Sequence, residues 1–346
     1  MGAIKGKRLS EAIKVRILTL IDTSQERGVT IQRACSVMLI SYRRVMRWKG
    51  KARSGLSLTD HKPGPGEALH RLLWDEIEQV KQMAAQEAYA DLSHRILAVT
   101  AWDQGLFHVC FSSVYRILKR FDMMRMRAPG RHHNGRSVAP FRKELTGPNQ
   151  RWCWDVSYLP TPVRGVFLYF YLLLDEFSRK ALQWRISWQH TAAEGGLLIE
   201  AALGDENILD LPESQRPEIL SDRGRQMKAK SIKRLCEMHQ MPQMFARPRT
   251  PNDNPFAESF FSTVKRAPQY PGFFVDDQQA REYMCKYLDW YNHGHYHSAI
   301  DYVTPQQAHL GLRETIVERR NHDKQIQRIR RRRINQQIII NPLTKI

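Results

Sequence analysis

The spacing of apolar residues divides the chain into a helical first part and a mixed second part. Up to residue 126, apolar residues recur three and four positions apart, as in Ile13, Ile17, Leu18 and Ile21, which is the period of an amphipathic helix. After Gln150, short continuous apolar runs of strand length alternate with segments of helical period. We therefore expect a multidomain protein with α-helical modules, an α/β core built on a mixed sheet, and a C-terminal tail.

The first 50 residues predict a helix-turn-helix domain of three short helices over residues 10–49. Ser10 can cap the first helix, Gly28 ends it, Thr30 begins the second and Ser41 caps the third. In a major-groove reader the last helix of such a unit carries basic side chains on its outer face. The candidate DNA contacts of this helix are Tyr42, Arg43, Arg44 and Arg47. A small three-helix bundle that does not bind DNA is the alternative.

A second helix-turn-helix domain is predicted at 67–126, after a linker at 51–66 that is rich in Gly, Pro and Ser. Helices are expected from residue 67 to 86, from 91 to 105 and from 112 to 121. Ser112 or Ser113 would cap the last of them. Its basic positions are candidate DNA contacts, namely Arg116, Lys119 and Arg120. Residues 127–148 are predicted to be a basic, extended linker.

Residues 149–312 show the alternation of strands and helices that indicates a sheet covered on both faces. Strands are predicted at 151–161, 217–222 and 242–248, together with a strand pair over 165–188 that turns near Asp175–Lys180. Helices are predicted at 191–205, 228–240, 254–267 and 281–292. The segment 313–346 is expected to be a basic tail that is helical in part.

Charge and cysteine usage narrow the function classes. The net charge is +19, and it is uneven: residues 1–150 carry +13, residues 151–312 carry −1 and residues 313–346 carry +7. Basic segments of this kind favour nucleic acid as a partner, because neutralising phosphates releases counterions. The five cysteines are scattered and form no C-x-x-C pair, which indicates a reducing compartment and argues against a disulfide framework or a zinc ribbon. With neither a secretory signal nor an apolar run of about 20 residues, we expect a cytoplasmic protein, nucleoid-associated when bound to DNA and without a membrane partner.

Three carboxylates of the α/β domain stand out by position. Asp155 lies within the first strand, Asp222 ends a short buried strand, and Glu258 lies on the helix after the turn-forming residues 251–255. Glu258 shares its helix face with Ser262 and Lys265, and apolar residues cover another face. Carboxylate oxygens suit Mg²⁺, and two Mg²⁺ ions about 4 Å apart can activate an attacking oxygen and stabilise a leaving one in phosphoryl transfer.

The sequence around these acids is distinctive. Asp155 lies in WCWDVSYLPT, Asp222 in ILSDRGRQM and Glu258 in PRTPNDNPFAESFFSTVK, with 35 residues between the last two acids. Two further motifs belong to the same pattern, LLLDEFSRKALQW and YLDWYNHGHYHSAIDYVTPQQA. With these motifs the chain from about 150 to 310 resembles the DDE transposases of bacterial insertion sequences, in the retroviral-integrase-like group.

This resemblance implies a ribonuclease-H-like catalytic domain in which Asp155, Asp222 and Glu258 are the catalytic and metal-binding acids. It implies two Mg²⁺ ions, for which Mn²⁺ can substitute, and strand cleavage followed by transfer of a 3′-hydroxyl into target DNA. It also implies double-stranded DNA partners, namely the terminal inverted repeats and the target, and a homo-oligomer that is at least a dimer on DNA.

Two further groups of basic residues are candidate phosphate contacts. Lys265 lies on the same helical face as Glu258, where it would contact DNA in the active site. A solvated lysine is the alternative. The tail contains a run of four arginines, namely Arg330, Arg331, Arg332 and Arg333. We expect this run to bind phosphates flexibly; a solvated run is the alternative.

Other conspicuous residues favour structural roles. Asp175 and Glu176 are expected to shape a turn, with Arg179 as a local partner. Asn252 and Asn254 suit helix capping or positive φ. The core is expected to include Trp152, Trp154, Trp184 and Trp188. No carboxylate or thiol completes a zinc set around three histidines, which we assign to a loop: His293, His295 and His297.

Two alternatives to a transposase stay open. One is a nuclease or recombinase of the same fold that does not integrate DNA. The other is a DNA-binding regulator, derived from a transposase, whose chemistry is lost. The complete set of three acids argues against the second.

Overall fold

The computed structural model describes residues 9–60, 68–124, 144–246 and 254–340. It divides into two compact units, residues 1–71 and 72–346, and each is described by itself. Most of the predicted linker at 127–148 and most of the turn-forming segment at 251–255, including Asn252, lie outside the described residues. Those predictions therefore stay untested.

The first unit consists of three helices around one apolar core: α1 Glu11–Glu26, α2 Ile31–Val37 and α3 Tyr42–Arg53. Ser10 and Thr30 each accept a hydrogen bond from a first-turn N–H, as predicted, whereas Ser41 precedes α3 without a side-chain cap bond. Leu58, expected in the linker, is buried in this core, and its carbonyl accepts a 2.6 Å hydrogen bond from the buried Lys14 ammonium. The first unit therefore extends past residue 50.

The second unit begins with three more helices: α4 Trp74–Ala85, α5 His94–Asp103 and α6 Phe111–Arg120. Helix α4 begins later than residue 67 because the Glu76 carboxylate accepts the Leu73 N–H at 3.0 Å and caps the helix there. Helix α6 follows Cys110, so the prediction of Ser112 or Ser113 as its cap is wrong; both serines lie in its first turn. We call these three helices the second helical module.

A five-stranded mixed sheet forms the centre of the second unit: β1 Arg151–Pro160, β2 Phe167–Asp175, β3 Ala181–Ser187, β4 Glu218–Ser221 and β5 Gln243–Phe245. The strand order is β3-β2-β1-β4-β5, with β1, β2 and β3 antiparallel and β4 and β5 parallel to β1. The predicted mixed sheet is thereby confirmed, and its order and strand directions fit a ribonuclease-H-like core.

Helices cover both faces of this sheet: α7 Ala192–Asp205, α8 Lys230–Met238, α9 Pro255–Lys265 and α10 Asp277–His293. Helices α7 and α8 pack on the face that carries Trp152 and Trp154, which are fully buried as predicted. Gly195 permits this packing, because a Cβ there would lie 2.7 Å from the Trp154 ring. Helices α9 and α10 pack on the opposite face. Trp184 is partly buried, and Trp188 is 47% exposed, so its assignment to the core is wrong.

The predicted basic tail is a long helix that packs against the second helical module. A short helix, α11 Pro305–His309, precedes the last one, α12 Arg313–Ile340. Arg320 forms an ion pair with Asp103 of α5 at 2.6 Å, and Arg331 forms one with the buried Glu76 of α4 at 2.7 Å. The Lys324 ammonium lies 3.8 Å from the centre of the Trp102 ring. Within the described ranges, no helix has the length and apolar composition needed to cross a bilayer.

Candidate active site

Asp155 lies in the middle of β1, opposite Leu172 of β2, on the sheet face that α9 covers. One of its carboxylate oxygens accepts a 2.8 Å hydrogen bond from the Val156 N–H. Burial, together with the smaller effects of the negative charges of Asp222 and Glu258, raises the pKa of Asp155 to about 7. The three acids are therefore close enough for their charges to interact.

Asp222 follows the last residue of β4. Because β4 runs parallel to β1 with Leu220 opposite Cys153, the carboxyl end of β4 reaches the level of Asp155. The exposed Asp222 carboxylate accepts a 2.8 Å hydrogen bond from the Gly224 N–H and so closes a tight turn. A Cβ on Gly224 would lie only 3.0 Å from that same carboxylate oxygen, so the turn favours glycine here.

Glu258 lies in the first turn of α9, and desolvation raises its pKa although the residue is on the surface. The start of α9 is tied to β1 by Asn254, which is buried and donates a 3.3 Å hydrogen bond to the Trp154 carbonyl, one residue before Asp155. Asn254 occupies the predicted N-cap position of α9, at φ −127°, but its side chain makes no cap bond. Its amide instead fixes the helix that carries Glu258 to the strand that carries Asp155.

The carboxylates of Asp155, Asp222 and Glu258 are the candidate ligands for a metal ion. In the part of the chain that the structure describes, no three His, Cys, Asp or Glu side chains are close enough to hold an ion together. Mg²⁺ is usually bound through one or two carboxylates, with water and substrate phosphates filling its other positions, so a preformed cage of three acids is not required. The interacting carboxylates Asp155, Asp222 and Glu258 supply hard oxygen donors of the type that Mg²⁺ prefers.

An aromatic group beside Asp222 was not found from the sequence. The His190 ring stacks on Tyr169 with 4.6 Å between ring centres and meets Tyr158 edge-on at 5.8 Å. Burial lowers the pKa of His190, while the charge of Asp222 acts in the opposite direction. The strand alternation that aligns Tyr158 with Tyr169 could have signalled the tyrosine pair, but His190 enters from the loop after β3.

The histidines His293, His295 and His297 show no sign of a metal site. His293 ends α10 and lies 3.0 Å from the Asp289 carboxylate, whereas His295 stacks on Tyr291 in the loop that follows. Burial lowers the pKa of both His295 and His297 to about 4, so both rings are neutral at pH 7.

The candidate DNA contacts lie mainly on exposed helix faces, both in the first unit (α1 to α3, the first helical module) and in the second helical module. On α3, Tyr42, Arg43 and Arg47 are exposed, while Arg44 lies over the Trp48 ring at 5.0 Å. On α6 the guanidinium of Arg116 bonds to the first turn of its own helix. The two remaining positions of α6 are exposed, namely Lys119 and Arg120.

The other basic candidates differ among themselves. Lys265 is exposed at the end of α9, and desolvation lowers its pKa. Arg332 and Arg333 are exposed on α12, and Arg330 lies 3.3 Å from Asp75 at the surface. Arg331 is buried between α12 and the second helical module, where Glu76 and the His108 carbonyl occupy its guanidinium. Its side chain is not available to DNA in this arrangement.

The Asp175–Lys180 turn has a structural role, as the sequence predicts. Asp175 is fully buried, burial raises its pKa to about 6, and its carbonyl accepts the Arg179 N–H at 2.9 Å. Glu176 lies 3.6 Å from Arg151. Lys180 forms a 2.8 Å ion pair with Glu206 after α7.

Comparisons with known proteins match the part of the chain that contains the sheet. Two models of the integrase core domain match residues 146–251 and 239–305. A transposase for insertion element IS904 of Lactococcus lactis is 26% identical over 208 residues, which span 55% of this chain and 78% of that protein. A putative transposase InsD for insertion element IS2E of Escherichia coli is 29% identical over 207 residues, which span 56% of this chain and 88% of that one.

The chain carries an integrase core domain and is similar to the transposases of bacterial insertion sequences. The transposase resemblance inferred from the motifs is confirmed, and the enzyme class is that of the polynucleotidyl transferases. Among solved structures, a simian T-cell lymphotropic virus intasome in complex with PP2A regulatory subunit B56 gamma is 16% identical, covers 67% of this chain and 74% of that chain, and gives a TM-score of 0.39.

Proposed function

We propose that the chain is a DNA transposase that binds the terminal inverted repeats of a mobile element, cleaves there and transfers a 3′-hydroxyl into target DNA. The observation that carries this proposal is the interaction of three carboxylates from separate elements, β1, the end of β4 and α9. β4 runs beside β1, and Asn254 ties the start of α9 to β1. Burial, and to a smaller extent the charges of Asp222 and Glu258, raise the pKa of Asp155, as expected of a site that needs a cation to be stable.

Asp155, Asp222 and Glu258 would hold divalent metal, two Mg²⁺ or Mn²⁺ ions, which supply activation of the attacking oxygen and stabilisation of the leaving oxygen. Three carboxylates leave part of the charge of two such ions uncompensated, so the DNA phosphate would complete the site. Asn254 positions Glu258 against Asp155 through its bond to the Trp154 carbonyl. Lys265, on the same helix as Glu258, would hold a neighbouring phosphate.

The two helical modules would recognise the element ends as helix-turn-helix readers. The outer face of α3 presents Tyr42, Arg43 and Arg47, and α6 presents Lys119 and Arg120, with Arg116 braced by its own helix. Short helices with basic outer faces fit the major groove. Arg44, Arg330, Arg332 and Arg333 would add phosphate contacts, and a homo-oligomer would pair the two ends.

Strand transfer tests this function directly. The full chain is incubated with Mg²⁺, a target plasmid and linear DNA that carries the inverted repeats of its own element. Asp155→Asn, Asp222→Asn and Glu258→Gln should each abolish cleavage and joining, while end binding stays largely intact. Glu237→Gln, which changes an exposed glutamate on α8, is the matched control and should keep full activity. Full joining by any of the three active-site variants would refute the assignment of that acid.

The same experiment separates the alternatives. Cleavage without joined product would indicate a nuclease or recombinase that does not integrate. End binding without either reaction in the wild-type chain would indicate a regulator.

A further inference from the structure

A cavity of about 280 Å³ lies beside the first turns of α9, on a different side of that helix from Glu258. Its polar lining includes one permanently charged side chain together with Ser259, Thr263, His295 and His297. The charged side chain is Arg179, from the turn after β2. None of the described residues that line the cavity is an Asp or a Glu.

Arg179 has donors that the described protein does not use. Its Nε and Nη1 atoms are buried and have no hydrogen-bond partner among the described residues. The guanidinium stacks on Phe256, with its central carbon 3.5 Å from the ring centre, so the plane of the group is fixed. The charges of Glu176 and Asp175 act on the guanidinium, but neither carboxylate accepts a hydrogen bond from these two donors. Buried donors without an acceptor destabilise a fold, so an acceptor from outside the described protein would stabilise this one.

The backbone conformation of Arg179 also destabilises the fold. Its φ is +66°, in the left-handed region that favours glycine or asparagine. The turn itself needs only the backbone hydrogen bond from the Arg179 N–H to the Asp175 carbonyl, which any residue could make. Strain and unused donors at one residue point to a functional side chain.

The chemistry of the cavity selects an oxyanion. A guanidinium offers a planar fork that matches two oxygens of a phosphate. The hydroxyl of Ser259 and the neutral rings of His295 and His297 can each contribute a hydrogen bond without adding negative charge. The first turn of α9 also lines the cavity, and the positive end of a helix dipole favours an anion there.

We propose that this cavity binds a backbone phosphate of the DNA strand that passes Glu258, with Arg179 as its main ligand. This rests on the proposed transposase function. Ser259, which follows Glu258 directly, lines the cavity, so a strand held at the acids can place a nearby phosphate there. Arg179 would then position DNA rather than take part in bond cleavage.

Arg179→Gly is the sharpest test, because glycine suits φ +66° and should leave the midpoint of thermal unfolding equal to or above that of the wild type. Gln240→Gly, at an exposed residue with φ +52°, is the matched control. Binding of a labelled inverted-repeat duplex is measured against salt concentration. Arg179→Gly should weaken binding and reduce the slope of log K against log salt by about 0.9, the value for one lost phosphate contact. Arg179→Lys should restore the slope, and the control should match the wild type.

Single neutral methylphosphonates in the duplex identify the contact. In the wild type one position close to the cleavage site should weaken binding, and in Arg179→Gly that position should have no effect. An unchanged salt slope in Arg179→Gly, or no position whose effect the variant abolishes, overturns the proposal. If inorganic phosphate stabilises the wild type but both DNA results are negative, the cavity is a small-anion site and the proposal is likewise overturned.

This design separates the two levels of inference. A wild-type chain that cleaves and joins, with an unchanged slope in Arg179→Gly, refutes the cavity while the proposed function stands. A wild-type chain that neither binds nor joins inverted-repeat DNA refutes the proposed function itself.

Discussion

Replacing Asp155 by Asn should make the metal-free protein more stable while it removes activity. The pKa of Asp155 is raised from 3.8 to about 7, mainly by burial, so its ionised form is unfavourable in the folded state. Asparagine keeps the shape and the acceptor for the Val156 N–H but carries no charge. A gain in stability from the loss of an essential acid is the expected signature of a site built for a cation.

The size and sign of the effect follow from proton linkage. Between pH 3.8 and about pH 7 the folded state holds a proton that the unfolded state has lost, so the stability due to this group falls as pH rises through that window. A shift of about three units, at 1.36 kcal/mol each, sets an upper bound of about 4 kcal/mol. Relative to the wild type, Asp155→Asn should gain little near about pH 4 and up to about 4 kcal/mol near about pH 8.

Urea unfolding in EDTA measures this difference across the pH range. Trp152 and Trp154, buried in the same strand as Asp155, report unfolding of the core by fluorescence. Taking the difference between variant and wild type cancels other groups that titrate equally in both. Adding Mg²⁺ should stabilise the wild type above about pH 7 and reduce the difference, with little effect on Asp155→Asn.

A stability difference that stays constant from about pH 4 to about pH 8 would refute the reasoning, because it would show that Asp155 has the same pKa in both states. A difference that depends on pH but not on Mg²⁺ would keep the electrostatic account and contradict the metal site.

Three further outcomes are expected. Glu206→Gln should lower the free energy of unfolding by about 3 kcal/mol at pH 7, because hydrogen bonds from His309, Lys180 and Asn149 lower the Glu206 pKa to about 2. In the wild type this contribution should disappear as pH falls from 4.5 through about 2, which urea unfolding measures. Arg331→Ala should cost about 3–5 kcal/mol by leaving Glu76 buried and unpaired, and a double Ala variant should cost less than the sum of the singles. Asn254→Ala should lower the single-turnover rate of strand transfer by about 10²-fold by displacing α9, with unchanged end affinity.

The sequence correctly predicted the sheet and the elements that carry the three acids, because the signals for these elements are local. Asp155 lies in an apolar run of strand length, Asp222 ends another, and the turn formers before Glu258 mark the start of a helix. The spacing between these elements leaves few ways to connect them. The strand order, which was not predicted, places β4 beside β1 and so brings Asp222 close to Asp155.

What the sequence could not supply are contacts between distant residues. The burial of Arg331 depends on Glu76, and nothing in a run of four arginines shows which one faces inward. The bond from Asn254 to the Trp154 carbonyl spans 100 residues, so a turn-forming asparagine gave no hint of it. The Nε and Nη1 donors of Arg179 are unused because no described residue places an acceptor beside them, and a sequence pattern cannot show this.

The contact between α12 and α4 also has a consequence in time. Arg331 is separated from Glu76 by 255 residues, and translation at about 5–20 residues per second needs roughly 13 to 50 s to bridge that distance. During this interval the Glu76 carboxylate lacks its partner, and the second helical module is short of its final stability. The ribosome therefore delivers Asp155, Asp222 and Glu258 before the second helical module, one of the two proposed to read DNA, reaches its final stability.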